Sequence, residues 1–429
     1  MKKLYILIFC LLTVAGMSAQ QTPANKQTKA LSIEGATAHL GNGAVIENSL
    51  IMFDEGKIAF VGSAMAKIAR MGEVINAEGK HVYPGFIVSN SSVGLAEIDA
   101  VKASVDVDEI AQYLPHVRSL IAYNAESKVV ESLRPNGILI GQIVPRGGTL
   151  SGTSSIVQFD AWFWEDADIK VDDGIHLNWP SAFSSGGRFS GGSPGPNKNY
   201  DSEVAKLKSF FNEAKSYLKS NRSPKNLPFE GMGGLFNGQQ QLFFHASGVK
   251  EISEGIAFAK KAGVERIVLV HGNDAHKVAN LLVDNNITVI VERAHRRPAK
   301  EDDDYDLPYR TAAMLTDAGV TVAIGMEGQM ERMNSRNLQF YAGTYAAYGM
   351  DKEEALKLIT SNAAKILGID AFVGTLEVGK DATLFISEGD ALDMRGNQLS
   401  RAFIQGRDIS LESHHTKLWK RYSKKYQEK

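Results

Sequence analysis

The stretch of sequence that decides the fold runs from residue 242 to residue 271 and reads LFFHASGVKEISEGIAFAKKAGVERIVLVH. An apolar run of strand length ends in His245, and a second one, residues 267–270, ends in His271. Between them, residues 252–262 have the apolar spacing of an amphipathic helix. A strand, a helix and another strand in this order indicate neighbouring parallel strands joined by a helical crossover.

The same alternation extends over most of the chain. Residues 288–291 and 321–324 are further apolar runs of strand length, and strands alternate with helices between about residues 84 and 368. A TIM barrel, in which eight strands are each followed by a helix, occupies about 250 residues. Because the 429 residues of the chain are too many for one ordinary core, the sequence predicts an α/β protein with a (β/α)8 barrel over residues 84–368 and a second, smaller domain.

Both ends of the chain have the composition of β-sheet. Apolar runs at residues 49–53 and 58–62 flank a turn that contains a glycine, which predicts a hairpin. Residues 373–386 have the same character. Since neither end has enough apolar surface to stand alone, we predict one composite β-sandwich domain formed by residues 28–83 and 369–412, with the barrel inserted between its two parts.

The N-terminus has the organisation of a secretory signal. Two lysines precede the apolar run of residues 4–14, and small residues at Ser18 and Ala19 follow it. We therefore expect residues 1–20 to be a signal peptide and the mature protein to be exported, to the periplasm or outside the cell. The alternative is a cytosolic N-terminal helix. The apolar run is too short to span a bilayer as a permanent helix, so no stable membrane insertion is expected.

Charge and the C-terminal tail limit the partners. The chain has 47 Lys plus Arg against 49 Asp plus Glu and no long basic stripe, which argues against a nucleic acid partner. In the C-terminal tail, residues 413–429, Leu418, Tyr422 and Tyr426 are spaced four residues apart with lysines between them. This spacing favours a helix that docks on a surface over a membrane anchor.

Three side chains suited to metal binding or acid–base chemistry follow predicted strands. His245 and His271 end successive strands, and Glu327 comes just after the run at residues 321–324. Barrel active sites are built at this end of the strands. Two imidazoles and one carboxylate would complete a three-ligand zinc site with an open position for water. The alternative is that the histidines are inherited packing residues and the glutamate is a solvated charge.

Four further segments carry a family resemblance. Residues 84–87, the acidic loop at 302–308, the helix at 355–365 and the turn at 373–382 resemble amidohydrolases close to the imidazolonepropionase-like group. The resemblance covers nearly the whole mature chain and implies a metal-dependent-hydrolase-type barrel. In such enzymes a His-x-His pair on the first strand, one histidine on each of strands five and six, and an aspartate on strand eight hold one or two metals.

The resemblance also assigns roles to residues. His245 and His271 match the two single histidines, and Glu327 stands near the aspartate position, while Asn90 and Ser92 stand where the His-x-His pair belongs. An amide and a hydroxyl are much weaker ligands than an imidazole nitrogen. The resemblance therefore implies one divalent metal ion, zinc being the expected one, or no metal at all. His245 and His271 would hold the ion, with Glu327 as ligand or general base.

Other candidate groups lie on neighbouring strands. Certain N-acetylglucosamine-6-phosphate deacetylases lack the first-strand pair and bind one metal with the help of a bridging glutamate from an earlier strand. The earlier strands here present Gln142, Gln158 and Asp160 instead. After a later strand, Arg293 and His295 are interpreted as groups that bind an anionic part of a substrate, the alternative being a solvated loop.

These observations lead to two hypotheses about function. The first is an amidohydrolase-type enzyme that hydrolyses non-peptide carbon–nitrogen bonds in cyclic amides or related small molecules, with an incomplete metal site. The second is a non-catalytic, amidohydrolase-like protein that binds a small molecule, forms a homo-oligomer or pairs with an active relative. The sequence favours the enzyme. The alternative is motivated by the absence of the first-strand histidines, at Asn90 and Ser92.

Overall fold

Strands and helices alternate along the chain, of which this computed structural model describes residues 22–184, 195–328 and 330–427. The strands are β1 (Leu31–Glu34), β2 (Thr37–His39), β3 (Val45–Ile46), β4 (Ser49–Asp54), β5 (Lys57–Ser63), β6 (Glu73–Asn76), β7 (His81–Pro84), β8 (Phe86–Ser91), β9 (Ile138–Ile143), β10 (Leu150–Gln158), β11 (Asp168–Asn178), β12 (Phe183–Ser184), β13 (Gly195–Pro196), β14 (Gln241–Ala246), β15 (Ile267–His271), β16 (Thr288–Val291), β17 (Val322–Ile324), β18 (Leu384–Ser387), β19 (Leu399–Ile404) and β20 (Arg407–Asp408). The α-helices are α1 (Lys128–Leu133), α2 (Trp164–Ala167), α3 (Tyr200–Lys219), α4 (Leu227–Gly231), α5 (Gly233–Phe236), α6 (Val249–Lys261), α7 (Ala279–Asp284), α8 (Leu307–Asp317), α9 (Glu331–Asn334), α10 (Leu338–Ala347), α11 (Lys352–Lys357), α12 (Ser361–Leu367) and α13 (His414–Gln427). Short 3-10 helices cover Lys102–Ser104, Ser119–Ala122, Arg134–Asn136, Ala275–Val278 and Ser335–Asn337.

Eight strands form the predicted barrel. Their order is β17-β16-β15-β14-β11-β10-β9-β8, and a parallel bridge between Ser89 and Gly325 joins the first and last strands. One apolar cluster, which includes Ile87, Phe243 and Ile290, fills the inside of the barrel. A larger cluster lies between the outer faces of the strands and the surrounding helices. The α/β barrel predicted from the sequence is therefore confirmed.

One strand departs from the regular pattern of the barrel. β10 is antiparallel to both β9 and β11, whereas the other neighbouring strands are parallel. The cause is the short connection at residues 144–149, because a parallel crossover needs a dozen or more residues. Gly147 and Gly148 reverse the chain with φ values of 80° and 61°. As a result, the end of β10 lies at the opposite end of the barrel from the ends of its neighbours.

The helical crossovers follow from amphipathic spacing. In α6, Ile252, Ile256 and Ala259 are buried and lie on one helical face, while the charged side chains of Lys250 and Glu254 are exposed. This face packs in the outer cluster together with Leu269 of β15. The helix thereby places β14 and β15 side by side and in parallel, with their C-terminal ends at the same mouth of the barrel.

The β-sandwich is built from both ends of the chain. Its six-stranded sheet has the order β20-β19-β18-β7-β2-β3, and its four-stranded sheet has the order β5-β4-β1-β6. Ile33 and Phe53 from the N-terminal part share one apolar core with Leu384 and Phe403 from the C-terminal part. The composite β-sandwich predicted in the fold class is thus present.

The predicted hairpin is β4 and β5, and its turn explains one glycine. Glu55 and Gly56 both have positive φ, 48° and 79°, as a two-residue type I′ turn requires. A side chain at Gly56 would also approach the carbonyl oxygen of Gln405 to 2.9 Å. Glycine is therefore required there for conformation and for space.

The chain termini are described only in part. The predicted signal peptide at residues 1–20 lies outside the described residues. In the tail, α13 has no buried residue and exposes Trp419, Tyr422 and Tyr426. Within the described part of the chain, no helix has the length and apolar character needed to cross a membrane.

Candidate metal centre

His245, His271 and Glu327 meet at the C-terminal mouth of the barrel. His245 lies near the end of β14, His271 is the last residue of β15, and Glu327 follows β17. The Nδ1 atom of His245 is 3.3 Å from Nε2 of His271 and 3.4 Å from Oε2 of Glu327. The same Glu327 oxygen is 3.1 Å from Nε2 of His271. Three potential ligand atoms thus form a triangle of nearly equal sides.

Unusual backbone conformations turn two side chains towards this mouth. Val268 and Val270 face the inside of the barrel, so regular strand alternation would point His271 outwards. By the same alternation from Ile87, Asn90 would also point outwards. Instead, His271 and Asn90 have φ values of 73° and 49°. Such left-handed residues are uncommon outside glycine and tend to cluster at functional sites.

Asn90 lies in the cluster but acts as a hydrogen-bonding amide. Its Nδ2 donates to Oε2 of Glu327 at 2.7 Å, and its Oδ1 accepts from Nη1 of Arg146 at 2.8 Å. Arg146 Nη2 also donates to the backbone oxygen of Asn90 at 2.9 Å, and Nη1 lies 3.4 Å from Glu327 Oε2. Ser92 is buried, and within the described part of the chain its hydroxyl makes no hydrogen bond to these residues. An arginine therefore occupies the side of the site next to the first strand.

The charges of the cluster are strongly coupled. Burial alone would raise the pKa of Glu327, but Arg146, His245 and His271 hold that pKa well below its usual range. Burial alone would lower the pKa of His271, but the carboxylates of Glu327 and Glu292 raise it to about 9. For His245, burial outweighs the opposing effect of Glu327 and lowers the pKa. The glutamate is therefore an anion, and the ring of His245 is neutral, at physiological pH.

A cavity of about 200 Å³ opens beside the cluster. Arg293 lines it, and its Nε atom lies 2.8 Å from Oε2 of Glu331. His295 is not among the residues that line this cavity; its Nε2 is 2.7 Å from Oγ1 of Thr344. The structure thus places Arg293 near the cluster and His295 away from it, and their predicted role in substrate binding stays a prediction.

Two of the three groups that stand on the earlier strands lie far from the site. Because β10 runs antiparallel, its last residue Gln158 and the following Asp160 lie at the opposite end of the barrel. There, Asp160 forms ion pairs with Arg134 and Arg407. A larger cavity of about 930 Å³ opens at this end, and it contains none of the metal-cluster residues. Only Gln142 lies close to the candidate site.

Sequence reasoning missed a buried polar chain behind His245. Nδ1 of His176 is 2.9 Å from Nε2 of His245, and Nε2 of His176 is 2.9 Å from Oγ of Ser154. Ser154 Oγ is 2.6 Å from Oδ1 of Asp173. Burial places the pKa of His176 well below its usual value and raises that of Asp173 to about 6. The residue pattern of β11 could have revealed it. Ile175 and Leu177, on either side of His176, belong to the outer apolar cluster, so strand alternation points His176 towards the inside of the barrel.

Comparison with known proteins agrees with this architecture. Residues 229–413, which include His245, His271 and Glu327, match the Amidohydrolase family. A solved amidohydrolase from Thermotoga maritima MSB8 has a TM-score of 0.77 and 23% sequence identity, over 89% of this chain and 99% of that one.

More distant solved structures have the same fold. A prolidase complexed with N-methylphosphonate-L-proline has a TM-score of 0.55 and 14% identity, over 89% of this chain and 99% of that one. A Xaa-Pro dipeptidase with bound methionine has a TM-score of 0.53 and 15% identity, over 89% of this chain and 100% of that one. The sequence matches no curated protein. The fold is thus that of solved amidohydrolases, and the family match does not reach the first barrel strand with Asn90 and Ser92.

Proposed function

We propose that this protein is a hydrolase that uses one divalent metal ion, held by His245, His271 and Glu327, to cleave carbon–nitrogen bonds in small amides. The observation that carries the proposal is the triangle of ligand atoms with sides of 3.1–3.4 Å. In a tetrahedral zinc site with bonds of about 2.0–2.1 Å, neighbouring ligand atoms lie about 3.3–3.4 Å apart. The residues present therefore fit zinc.

The donor set also suits a catalytic ion. Two imidazole nitrogens and one carboxylate oxygen are the ligands of several catalytic zinc sites, and they leave the fourth position open. When bound, such an ion would polarise a substrate carbonyl and lower the pKa of a water molecule. The chain fixes the ligands before the ion arrives: His271 Nδ1 is 3.0 Å from Oε1 of Glu292, which leaves its Nε2 directed at the site.

Arg146 is proposed to supply the second positive charge of the site. In the resembling enzymes the first-strand histidines bring a metal to this side, whereas here Asn90 holds the guanidinium through two hydrogen bonds. Because the guanidinium is fixed 3.4 Å from Oε2 of Glu327, it needs no reorganisation to face a substrate. A preorganised cation at this position would stabilise negative charge that develops on a substrate oxygen.

The cavity favours a small, uncharged substrate. Its volume of about 200 Å³ is below the range of about 300–1,000 Å³ of pockets that bind drug-sized ligands. The arginines that line it are paired, Arg293 with Glu331 and Arg296 with Glu292. No lining arginine is thus left without a carboxylate partner. A cyclic amide or a related small molecule with a non-peptide carbon–nitrogen bond fits this space and charge.

A second candidate function is a non-catalytic binding protein, alone or paired with an active relative. One observation favours it: Oε2 of Glu327 already accepts a hydrogen bond from Asn90 and lies beside the guanidinium of Arg146. The charge of the carboxylate is therefore balanced without any metal, and a cation entering the site meets the repulsion of the arginine.

Titration of the purified, metal-stripped mature protein with zinc chloride tests the proposal. We expect one zinc ion per chain by calorimetry and elemental analysis, and affinity at least about tenfold lower in His245→Ala, His271→Ala and Glu327→Gln. His276→Ala, which changes a histidine outside the cluster, is the matched control and should bind zinc normally.

Hydrolysis separates the two candidate functions. The zinc-loaded protein should hydrolyse at least one member of a panel of cyclic amides, and Glu327→Gln should abolish that activity. Absence of zinc binding, or two zinc ions held per chain, would rule out the proposed single-ion centre. One zinc ion without any amide hydrolysis would favour the non-catalytic binding protein.

A further inference from the structure

A continuous chain of hydrogen bonds connects the first barrel strand with the far side of the His245 ring. It begins at the backbone nitrogen of Asn90 and passes through Gln142, Asp173 and Ser154. All of these side chains are buried, with 5% exposure or less. Because a buried polar group without a partner is costly, each contact in such a chain has a defined donor and acceptor.

The backbone fixes the direction of the first part of the chain. The amide nitrogen of Asn90 can only donate, so the atom of Gln142 that lies 3.0 Å from it must be the oxygen Oε1. The Nε2 group of Gln142 therefore points the other way and donates to Oδ2 of Asp173 at 2.9 Å. As a carboxylate, Asp173 is an acceptor only.

The direction then passes through Ser154 to His176. Ser154 donates its proton to Oδ1 of Asp173, 2.6 Å away, in preference to the carbonyl oxygen of Gly174 at 3.2 Å. Its oxygen is thereby free to accept from Nε2 of His176 at 2.9 Å. A neutral imidazole has one donor and one acceptor nitrogen. Nδ1 of His176 is consequently an acceptor.

The last contact determines the tautomer of His245. Since Nδ1 of His176 accepts, Nε2 of His245 at 2.9 Å must carry the proton, and Nδ1 of His245 keeps its lone pair. Competing hydrogen bonds from Nδ1 would span 3.3 Å to Nε2 of His271 and 3.4 Å to Oε2 of Glu327, both longer than the usual range of about 2.7–3.2 Å. The shorter contacts of the buried chain decide the outcome.

We propose that Asp173, Ser154 and His176 are positioning residues that hold His245 in the tautomer whose free Nδ1 faces the metal centre. The inference rests on the proposed function in one respect, because the free nitrogen matters for activity only if His245 is a ligand. Glu292 orients His271 in a comparable way, because its carboxylate holds Nδ1 of that ring and turns Nε2 towards the centre. The buried chain of hydrogen bonds orients His245, whose Nε2 lies next to His176 and not next to a carboxylate.

Asp173→Asn replaces one carboxylate oxygen with an amide group, and this should reverse the donor and acceptor roles along the buried chain of hydrogen bonds from Ser154 onwards. Because Gln142 still donates to the remaining oxygen, the new amide group must face Ser154 and donate to it. The proton of Ser154 would then go to Nε2 of His176 at 2.9 Å in preference to the carbonyl oxygen of Gly174 at 3.2 Å. His176 would in turn donate to His245, and the proton of His245 would move to Nδ1. Asp172→Asn is the matched control, because Asp172 pairs with Arg118 and lies outside the buried chain.

The readout is the tautomer of His245 in long-range proton–nitrogen NMR spectra of the metal-free, histidine-labelled protein at mildly alkaline pH. We expect Nε2–H in the unaltered protein and in Asp172→Asn, and Nδ1–H in Asp173→Asn, whose zinc affinity should fall by about 10- to 100-fold. Thermal denaturation checks that Asp173→Asn is folded. If it is not, Ser154→Ala serves instead, and both tautomers should then be populated.

Two results would overturn the inference: Nδ1–H in the unaltered protein, or an unchanged tautomer in the folded Asp173→Asn variant. Either result is visible without metal and without substrate. If the tautomers follow the expectation but zinc does not bind to the unaltered protein, the proposed function fails and the positioning of His245 stands.

Discussion

Arg146 is the residue whose position is hardest to reconcile with a conventional two-metal site. Its guanidinium is held by two oxygen atoms of Asn90 and lies 3.4 Å from the carboxylate of Glu327. A fixed cation there excludes a second metal ion and weakens the binding of the first. It also leaves a positive charge where a substrate oxygen would gain negative charge. These two effects have opposite consequences for metal affinity and for turnover.

Replacing Arg146 with methionine should separate the two effects. Without the repulsion, zinc affinity in Arg146→Met should rise by about tenfold, a value well below the full Coulomb energy because the effective dielectric constant is about 20 even at buried sites. Amide hydrolysis should fall by about 100-fold or more, as when a preorganised charge-stabilising group is lost. Calorimetry and kinetics measure the two quantities, and Arg118→Met, at an arginine that pairs with Asp172 and not with the cluster, is the control. Weaker zinc binding in Arg146→Met would contradict this account.

At the scale of single residues, the sequence could predict only those members of the candidate site whose position depends on local structure. His245 and His271 each end an apolar run, so their place at strand ends can be read directly from the order of residues. The contacts of Arg146 and His176 depend on which strands become neighbours, and on the left-handed backbone at Asn90. Neither of these is encoded in a short window of sequence.

Among the elements, β10 shows how a short loop changes a barrel. The sequence predicted regular strand–helix alternation, and it did so correctly from β14 to β17, where connecting helices leave an amphipathic pattern. Between β9 and β10 the connection is only residues 144–149, which enforces an antiparallel neighbour. The length of this loop could have predicted the antiparallel pairing of β9 and β10. The apolar runs themselves look alike in parallel and antiparallel strands.

The C-terminal helix α13 should be dispensable for the fold. None of its residues is buried, and its first turn is attached to the barrel mainly through Glu131, which accepts from the backbone of His414 and lies 3.9 Å from Lys417. Glu131 is buried, but Lys128 lies 3.5 Å from its Oε2 and stays in place when the helix is removed. A chain that ends at Ser413 should therefore keep its zinc affinity and melt within a few degrees of the full chain. A large loss of thermal stability would show that the helix is part of the core.

At the scale of the whole molecule, the composite sandwich could be predicted because neither end of the chain has enough apolar surface. Each end of the chain has too little apolar surface for an independent sheet domain, and the pairing of β7 with β18 is the result. The direction and register of that pairing could not be predicted, since many alternations would cover the same apolar faces.

Export is the remaining proposal at this scale. The charged start, the apolar run of residues 4–14 and the small residues after it are the features that a signal peptidase recognises. We expect that the mature protein, isolated from its native host, lacks about the first 20 residues by mass spectrometry. Retention of Met1 in that protein would contradict export by this route.

The junction between β7 and β18 also sets the order in which the molecule can form. These strands pair residue by residue from His81 with Ser387 to Pro84 with Leu384, so the whole barrel sequence forms the loop between them. A ribosome makes the N-terminal strands first, and they must wait unpaired at one sheet edge until almost the entire chain has been synthesised. Contacts so distant in sequence are slow to form and leave an aggregation-prone edge exposed in the meantime. The edge of β7 is therefore open to pairing with other chains until β18 covers it.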